Sequence, residues 1–124
     1  MNELEFLIEE SPLAYISMFL GALFLFMGAL LYFFPTKKPN MLYGYRTQRS
    51  MKDVKSWRFA QKYSSKIMIQ AGVLFMLIAL IGFFLRVGNG LSAFIILVEL
   101  AVACFFMIWK TENELKKIEN EENH

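Results

Sequence analysis

Cysteine and histidine are almost missing from this chain of 124 residues, which holds one of each, Cys104 and His124. A lone cysteine excludes an internal disulfide and a dithiol redox pair, and a lone histidine at the last position leaves no His-based metal site. Proline occurs three times, at Pro12, Pro35 and Pro39. Charged residues are only 19% of the chain and are absent from long stretches of it, while 56% of the residues are apolar. A soluble domain of this size needs charge over its whole surface, so this segregation indicates a membrane protein. The length leaves room for one domain, residues 1–124. The net charge of +2 carries little information beside the local distribution of charge.

The chain begins with Glu3, Glu5, Glu9 and Glu10 and no lysine or arginine before the first apolar run. A secretory signal wants a basic start and a shorter apolar core, so the run that follows is read as a retained helix. Pro12 suits its first turn. Residues 13–34 form a 22-residue run without a charge. At 1.5 Å per residue this is roughly 33 Å, enough to cross a hydrocarbon core of about 30 Å. Gly21 and Gly28, with Ala22 and Ala29 beside them, offer a smooth face for another helix. Tyr15 and Tyr32, near its two ends, fit the interfacial aromatic belts, and Pro35 stops the helix.

Residues 35–66 are the most basic part of the chain, with nine lysines and arginines against a single acid, Asp53. Such a connection between two spans is expected on the cytoplasmic side. Ser50-x-x-Asp53 resembles a capping box, and the pattern from Met51 onward is helical. Lys52, Lys55, Arg58, Lys62 and Lys66 fall on one stripe, with Val54, Trp57, Ala60, Ser64 and Ile67 opposite. The expectation is an amphipathic helix lying on the membrane surface, its lysines toward anionic headgroups.

Residues 67–85 give a second span, uncharged, with Gln70 near the basic end and small residues at Ala71, Gly72, Ala79 and Gly82. Residues 86–90, Arg-Val-Gly-Asn-Gly, read as a tight outward-facing turn. Residues 91–109 are a third span, interrupted by Glu99. A central carboxylate costs about 2.5–3.5 kcal/mol on the insertion scale. Eleven Leu, Ile, Val and Phe residues return roughly 3–7 kcal/mol, so the segment still inserts. Residues 110–124 are a charged tail in which Glu112 precedes Lys116 by four, the spacing of an exposed, fraying helical extension. The expected architecture is an all-α integral membrane protein: three transmembrane helices and one cytoplasmic amphipathic surface helix between the first and second. The amino terminus is outside and the carboxyl terminus inside.

Chemistry concentrates in residues 39–57 and at Glu99. In the Gly44-Tyr45-Arg46-Thr47 turn, Gly44 allows unusual backbone angles or a close approach, and Tyr45 can anchor at the interface. The Arg46 guanidinium can fork onto a carboxylate or phosphate, and Thr47 adds a hydroxyl. The blander reading is that Arg46 binds lipid headgroups or caps a helix. Asn40 stabilises the turn through its side chain and Trp57 wedges at the headgroup boundary; both would line a site if one forms there. Glu99 is either a protonated, hydrogen-bonded structural group or a ligand-binding or proton-coupled one. The basic stripe is a topology determinant and headgroup anchor. Its aromatic residues are too few for a nucleic-acid stacking platform.

Asn40, Gly44-Tyr45-Arg46-Thr47, Trp57 about ten residues after Thr47, and the apolar helix beyond it together resemble the SdpI/YfhL-type membrane proteins. That family is named after an immunity protein against a secreted bacterial toxin. Gln48 stands where the family pattern has proline, and the founding member is about twice as long, with further helices ahead of this unit. The resemblance implies a bacterial plasma-membrane protein that confers tolerance to a membrane-active peptide toxin or relays its presence. It implies functional weight on Asn40, Gly44, Tyr45, Arg46, Thr47 and Trp57, and it implies a cytoplasmic regulator as partner, as in the founder. No cofactor and no catalytic residue are expected. Two alternatives stand beside it. A small proton-coupled transporter would use Glu99 within a homo-oligomer. A membrane-embedded lipid-modifying enzyme would need Mg²⁺-binding carboxylates near the basic loop, which offers only Asp53.

Overall fold

The computed structural model describes residues 12–39, 44–85 and 87–122. Three helices make up the fold: α1, Pro12–Phe33; α2, Val54–Phe84; and α3, Asn89–Glu122. Each is long and apolar enough to cross a membrane. No strand occurs among the described residues.

Helix α1 lies against α2 along a seam of small residues. A methyl group added at Gly21 would come within 2.9 Å of the Gly72 carbonyl oxygen, and one at Gly72 would meet Leu25 Cγ at 2.8 Å. Further along, a methyl group at Gly82 would meet the backbone of Ala14 at 3.0 Å. Backbones this close gain dispersion contacts that larger side chains would forbid, which is how helices associate where lipid removes the hydrophobic drive. Tyr15 closes one end of the seam edge-to-face with Phe83, their centroids 5.2 Å apart. Phe24 packs similarly on Phe75 at 5.0 Å. The outward faces carry large exposed apolar side chains, among them Phe19, Phe26, Leu74, Leu80, Phe94 and Phe105, as a lipid-facing surface requires.

The helices differ in length. Helix α1 has 22 residues, α2 has 31 and α3 has 34. At 1.5 Å per residue, α2 and α3 reach roughly 46 and 51 Å, well past a core of about 30 Å. The expected surface helix is therefore not a separate element. Its residues are the first turns of α2, continuous with the second span because no proline or glycine interrupts residues 54–71. The basic stripe is exposed as its spacing requires, but Trp57, Ala60, Ser64 and Ile67 opposite it are buried inside the protein rather than turned to lipid. Lys62 also sets its ammonium 4.2 Å from the centre of the Tyr32 ring.

Three local expectations change as well. Asp53, not Ser50, caps α2: its backbone is extended and its Oδ1 accepts the Ser56 N–H at 2.7 Å, a bond that holds the carboxyl below the ordinary carboxylate range. The charged tail is a helical extension, continuing α3 through Glu122, but it is not wholly exposed, since Thr111 and Leu115 are buried. The turn before α3 is also shorter than its composition suggests, since Ser92 N–H already donates to Gly88 O at 2.8 Å.

Candidate functional site

The overshoot of α2 and α3 creates a small polar and aromatic assembly at the basic end of the bundle, where α1 has already stopped. The segment 44–53 fills that space. Tyr45 N–H donates to Gln61 Oε1 at 2.6 Å, and Gln61 Nε2 donates back to Tyr45 O at 2.8 Å. Gln61 is fully buried, and its amide satisfies both backbone groups of Tyr45, which belong to no helix or strand. Gly44 has φ 109°. A side chain there would suffer that backbone angle and would also run into Gln61 Oε1. Ser50 Oγ accepts from Thr47 N–H at 2.7 Å, and Thr47 Oγ1 accepts from Ser50 N–H at 3.2 Å, closing a reciprocal turn.

The Tyr45 ring is buried beside Ala60 and Leu115, with Phe59 and Met107 against it. Its hydroxyl donates to Glu112 Oε1 at 2.8 Å. Arg49 then joins the other carboxylate oxygen of Glu112 at 3.3 Å and Glu119 at 3.4 Å, and Lys52 adds 2.9 Å to Glu119. Burial, then the bond to and charge of Glu112, push the Tyr45 phenol far above its ordinary value. Glu112 lies beyond the apolar run that ends at Trp109. Burial opposes its charge, yet hydrogen bonds from Thr47, Tyr45 and Arg49 and the Arg49 charge outweigh that and hold its carboxyl below the usual range. Beneath this clamp lies a cavity of about 390 Å³, walled by Met27, Leu31, Tyr45, Met68 and Met107.

The candidate residues thus divide. Gly44, Tyr45 and Thr47 build the clamp. Trp57 is fully buried rather than wedged at a headgroup boundary, and its indole N–H donates to Thr36 O at 2.9 Å, tying the exit of α1 to α2. Arg46 is exposed, and the ion pairs to the α3 acids are made by Arg49 and Lys52 instead. Asn40 lies outside the described residues. Sequence reasoning missed the roles of Gln61, Ser50, Arg49 and Glu112: Ser50 and Glu112 stood out only for a capping box and a helix pair, and the trace of Gln61 is an amide on the side of α2 that carries Trp57, Ala60 and Ser64.

Glu99 stands apart from the clamp, on α3. It is 8% exposed, and its Oε1 accepts from the fully buried Ser17 hydroxyl of α1 at 2.8 Å. Its Oε2 is buried without a hydrogen-bond partner. Glu99 also forms part of the wall of a groove of about 580 Å³ between α2 and α3. Among the described residues no cluster of three or more His, Cys, Asp or Glu side chains could hold a metal ion.

A family model described as the SdpI/YfhL protein family matches residues 36–110, from the Thr36 carbonyl that receives Trp57 to the end of the third apolar run. The chain belongs to the SdpI/YfhL family. It is also 40% identical over 97 residues to the "Uncharacterized protein YfhL" of Bacillus subtilis (strain 168), a match covering 77% of this chain and 82% of that protein. No solved structure matches it. The SdpI/YfhL region takes in the Gly44–Tyr45 turn, Gln61 and Glu99, whereas Ser17, Glu112 and Glu119 lie outside it.

Proposed function

We propose that this SdpI/YfhL protein is a non-enzymatic, multi-pass protein of the bacterial plasma membrane that confers tolerance to a membrane-active peptide toxin or relays its presence. The observation that carries the reading is family membership, the family being named after an immunity protein against a secreted toxin. In this reading the three-helix bundle meets the toxin within the bilayer. The basic end, from Asn40 to Trp57, faces the cytoplasm, placing the amino terminus outside and the carboxyl terminus inside. The exposed stripe of Lys52, Lys55, Arg58, Lys62 and Lys66 on the first turns of α2 engages anionic headgroups, and the exposed Arg46 beside it serves as a contact for a cytoplasmic regulator.

The non-enzymatic reading is supported by how the acids near the loop are used. Among the described residues, Asp53 caps α2, and Glu112 and Glu119, which do fold back onto the loop, are bonded to Arg49 and Lys52 rather than set as a pair for Mg²⁺. A second reading, a small proton-coupled transporter acting as a homo-oligomer, is favoured by one observation, the unpartnered Oε2 of Glu99.

The test is growth of a toxin-sensitive bacterium expressing the chain under challenge by a panel of membrane-active peptides. Arg46→Ala and Glu99→Gln are run beside wild type at matched membrane levels. Protection by wild type that is lost in Arg46→Ala supports the toxin reading and places its contact at the basic end. Absence of protection against every peptide overturns it.

A further inference from the structure

The groove between α2 and α3 is apolar and aromatic except for one carboxyl group and one amide. Phe75 and Leu74 line it from α2, and Phe94, Val102 and Phe106 from α3, with the Gln70 amide at its basic end. Its volume, about 580 Å³, falls within the roughly 300–1,000 Å³ typical of small-molecule sites. Glu99 lines it with only one oxygen satisfied: Ser17 donates to Oε1, and Oε2 has no partner. No basic side chain of the three apolar runs can pair with this carboxyl, because residues 13–34, 67–85 and 91–109 contain no lysine or arginine. As a carboxylate it lacks a counter-charge, and a buried charge without a counter-charge is costly.

A cation supplied by a ligand meets both deficits. An ammonium N–H donated to a carboxylate oxygen makes a charge-assisted hydrogen bond, stronger than a neutral one. Phenylalanine faces attract the same ammonium through their quadrupole, the more so where water is excluded. A neutral apolar molecule would fill the groove but leave Oε2 unpaired. An anion would be repelled.

We propose that the α2–α3 groove binds lipophilic amines in their cationic form, with an apolar or aromatic body between Phe94 and Phe106 and the ammonium group on Glu99. Ser17 is the positioning residue, fixing the carboxyl by its bond to Oε1. The ligand reaches the groove from the hydrocarbon region, since the groove walls belong to the apolar runs of both helices. The site stands independently of toxin tolerance, since it rests on Glu99 and the groove rather than on the basic end.

The test uses the full chain in nanodiscs of phosphatidylcholine, with tritiated propranolol, an apolar secondary ammonium, as probe and empty discs as background. Saturable binding of about one probe per chain is expected, displaced by unlabelled propranolol and not by its neutral N-acetyl derivative. Glu99→Gln is expected to weaken binding by about tenfold or more. Ala103→Trp keeps the carboxyl and fills the groove, and is expected to abolish binding. Absence of saturable binding above empty discs overturns the proposal. So does equal competition by the neutral derivative, which means apolar partition without recognition of charge. Retained affinity in Glu99→Gln or in Ala103→Trp overturns it as well. Should Glu99→Gln fail to accumulate, the neutral competitor on wild-type protein and the Ala103→Trp variant still decide.

Discussion

Tyr45 and Gln61 are bonded to each other in both directions, backbone N–H to Oε1 at 2.6 Å and Nε2 to backbone carbonyl at 2.8 Å. A single buried side-chain amide thereby stands in for a neighbouring strand. Gln61→Leu keeps the volume and removes both bonds, leaving the buried Tyr45 N–H without a partner and its carbonyl with only the longer bond from Ser50 Oγ at 3.3 Å. The expected loss is about 2–4 kcal/mol of bundle stability, and limited proteolysis within residues 40–52 becomes fast. Unchanged cleavage would show that the loop is held by its other contacts alone.

Glu112 makes the clamp sensitive to acid. Its folded carboxyl sits below the ordinary range despite burial, so the stability it contributes is complete above the unfolded value of about 4.3 and is lost as pH falls through the folded value. Glu112→Gln is expected to flatten the acid limb of a stability-against-pH profile below about pH 5. Tyr45→Phe, which removes the hydrogen bond but not the Arg49 charge, is expected to shift that limb upward in pH. Thermal melts in detergent across pH 3–7, read by circular dichroism, separate the two.

The α1–α2 seam has no room for side chains at its glycines. Gly72→Val places atoms against Leu25 and the Gly21 carbonyl, so α1 must move away, at an expected cost of about 1–3 kcal/mol or more. Gly90→Ala is the control: an added methyl meets nothing within 4 Å, and the variant is expected to melt with wild type or slightly above it.

Ser17→Ala leaves both oxygens of Glu99 without a partner and is expected to destabilise the bundle by about 1–3 kcal/mol. The double variant Ser17→Ala/Glu99→Leu replaces both polar partners by apolar groups and is expected to recover most of that loss. A double variant less stable than Ser17→Ala would mean that Glu99 contributes stability by a route other than this bond.

The three spans were legible because lipid imposes a simple rule on composition. Pro12 and Pro35 bracket an uncharged run, and α1 follows it to within a residue at each end. The helical character of residues 51–66 and of the charged tail was legible too, but not that α2 and α3 run through them without a break and bury one face there, because the charges of an exposed face do not reveal what its opposite face packs against. Ser50-x-x-Asp53 fits the pattern of a capping box, but Asp53 caps by itself, and Ser50 is drawn into the turn with Thr47. Glu99 stood out by its cost. Its partner Ser17, 82 residues away, could not, since no periodicity links two different helices. In the same way, whether Arg46 or Arg49 faces the α3 acids depends on the turn around Gly44, which spacing alone does not fix.

The burial of Trp57 gives the chain two optically distinct tryptophans. Trp57 is enclosed and bonded to Thr36 O, while Trp109, the other indole, is half exposed on the apolar outer face of α3. Brominated acyl chains are therefore expected to quench one emission component and spare the other. Losing the clamp through Gln61→Leu would make the spared component quenchable, so intrinsic fluorescence can follow the closure of the basic end in an intact bilayer without any attached label.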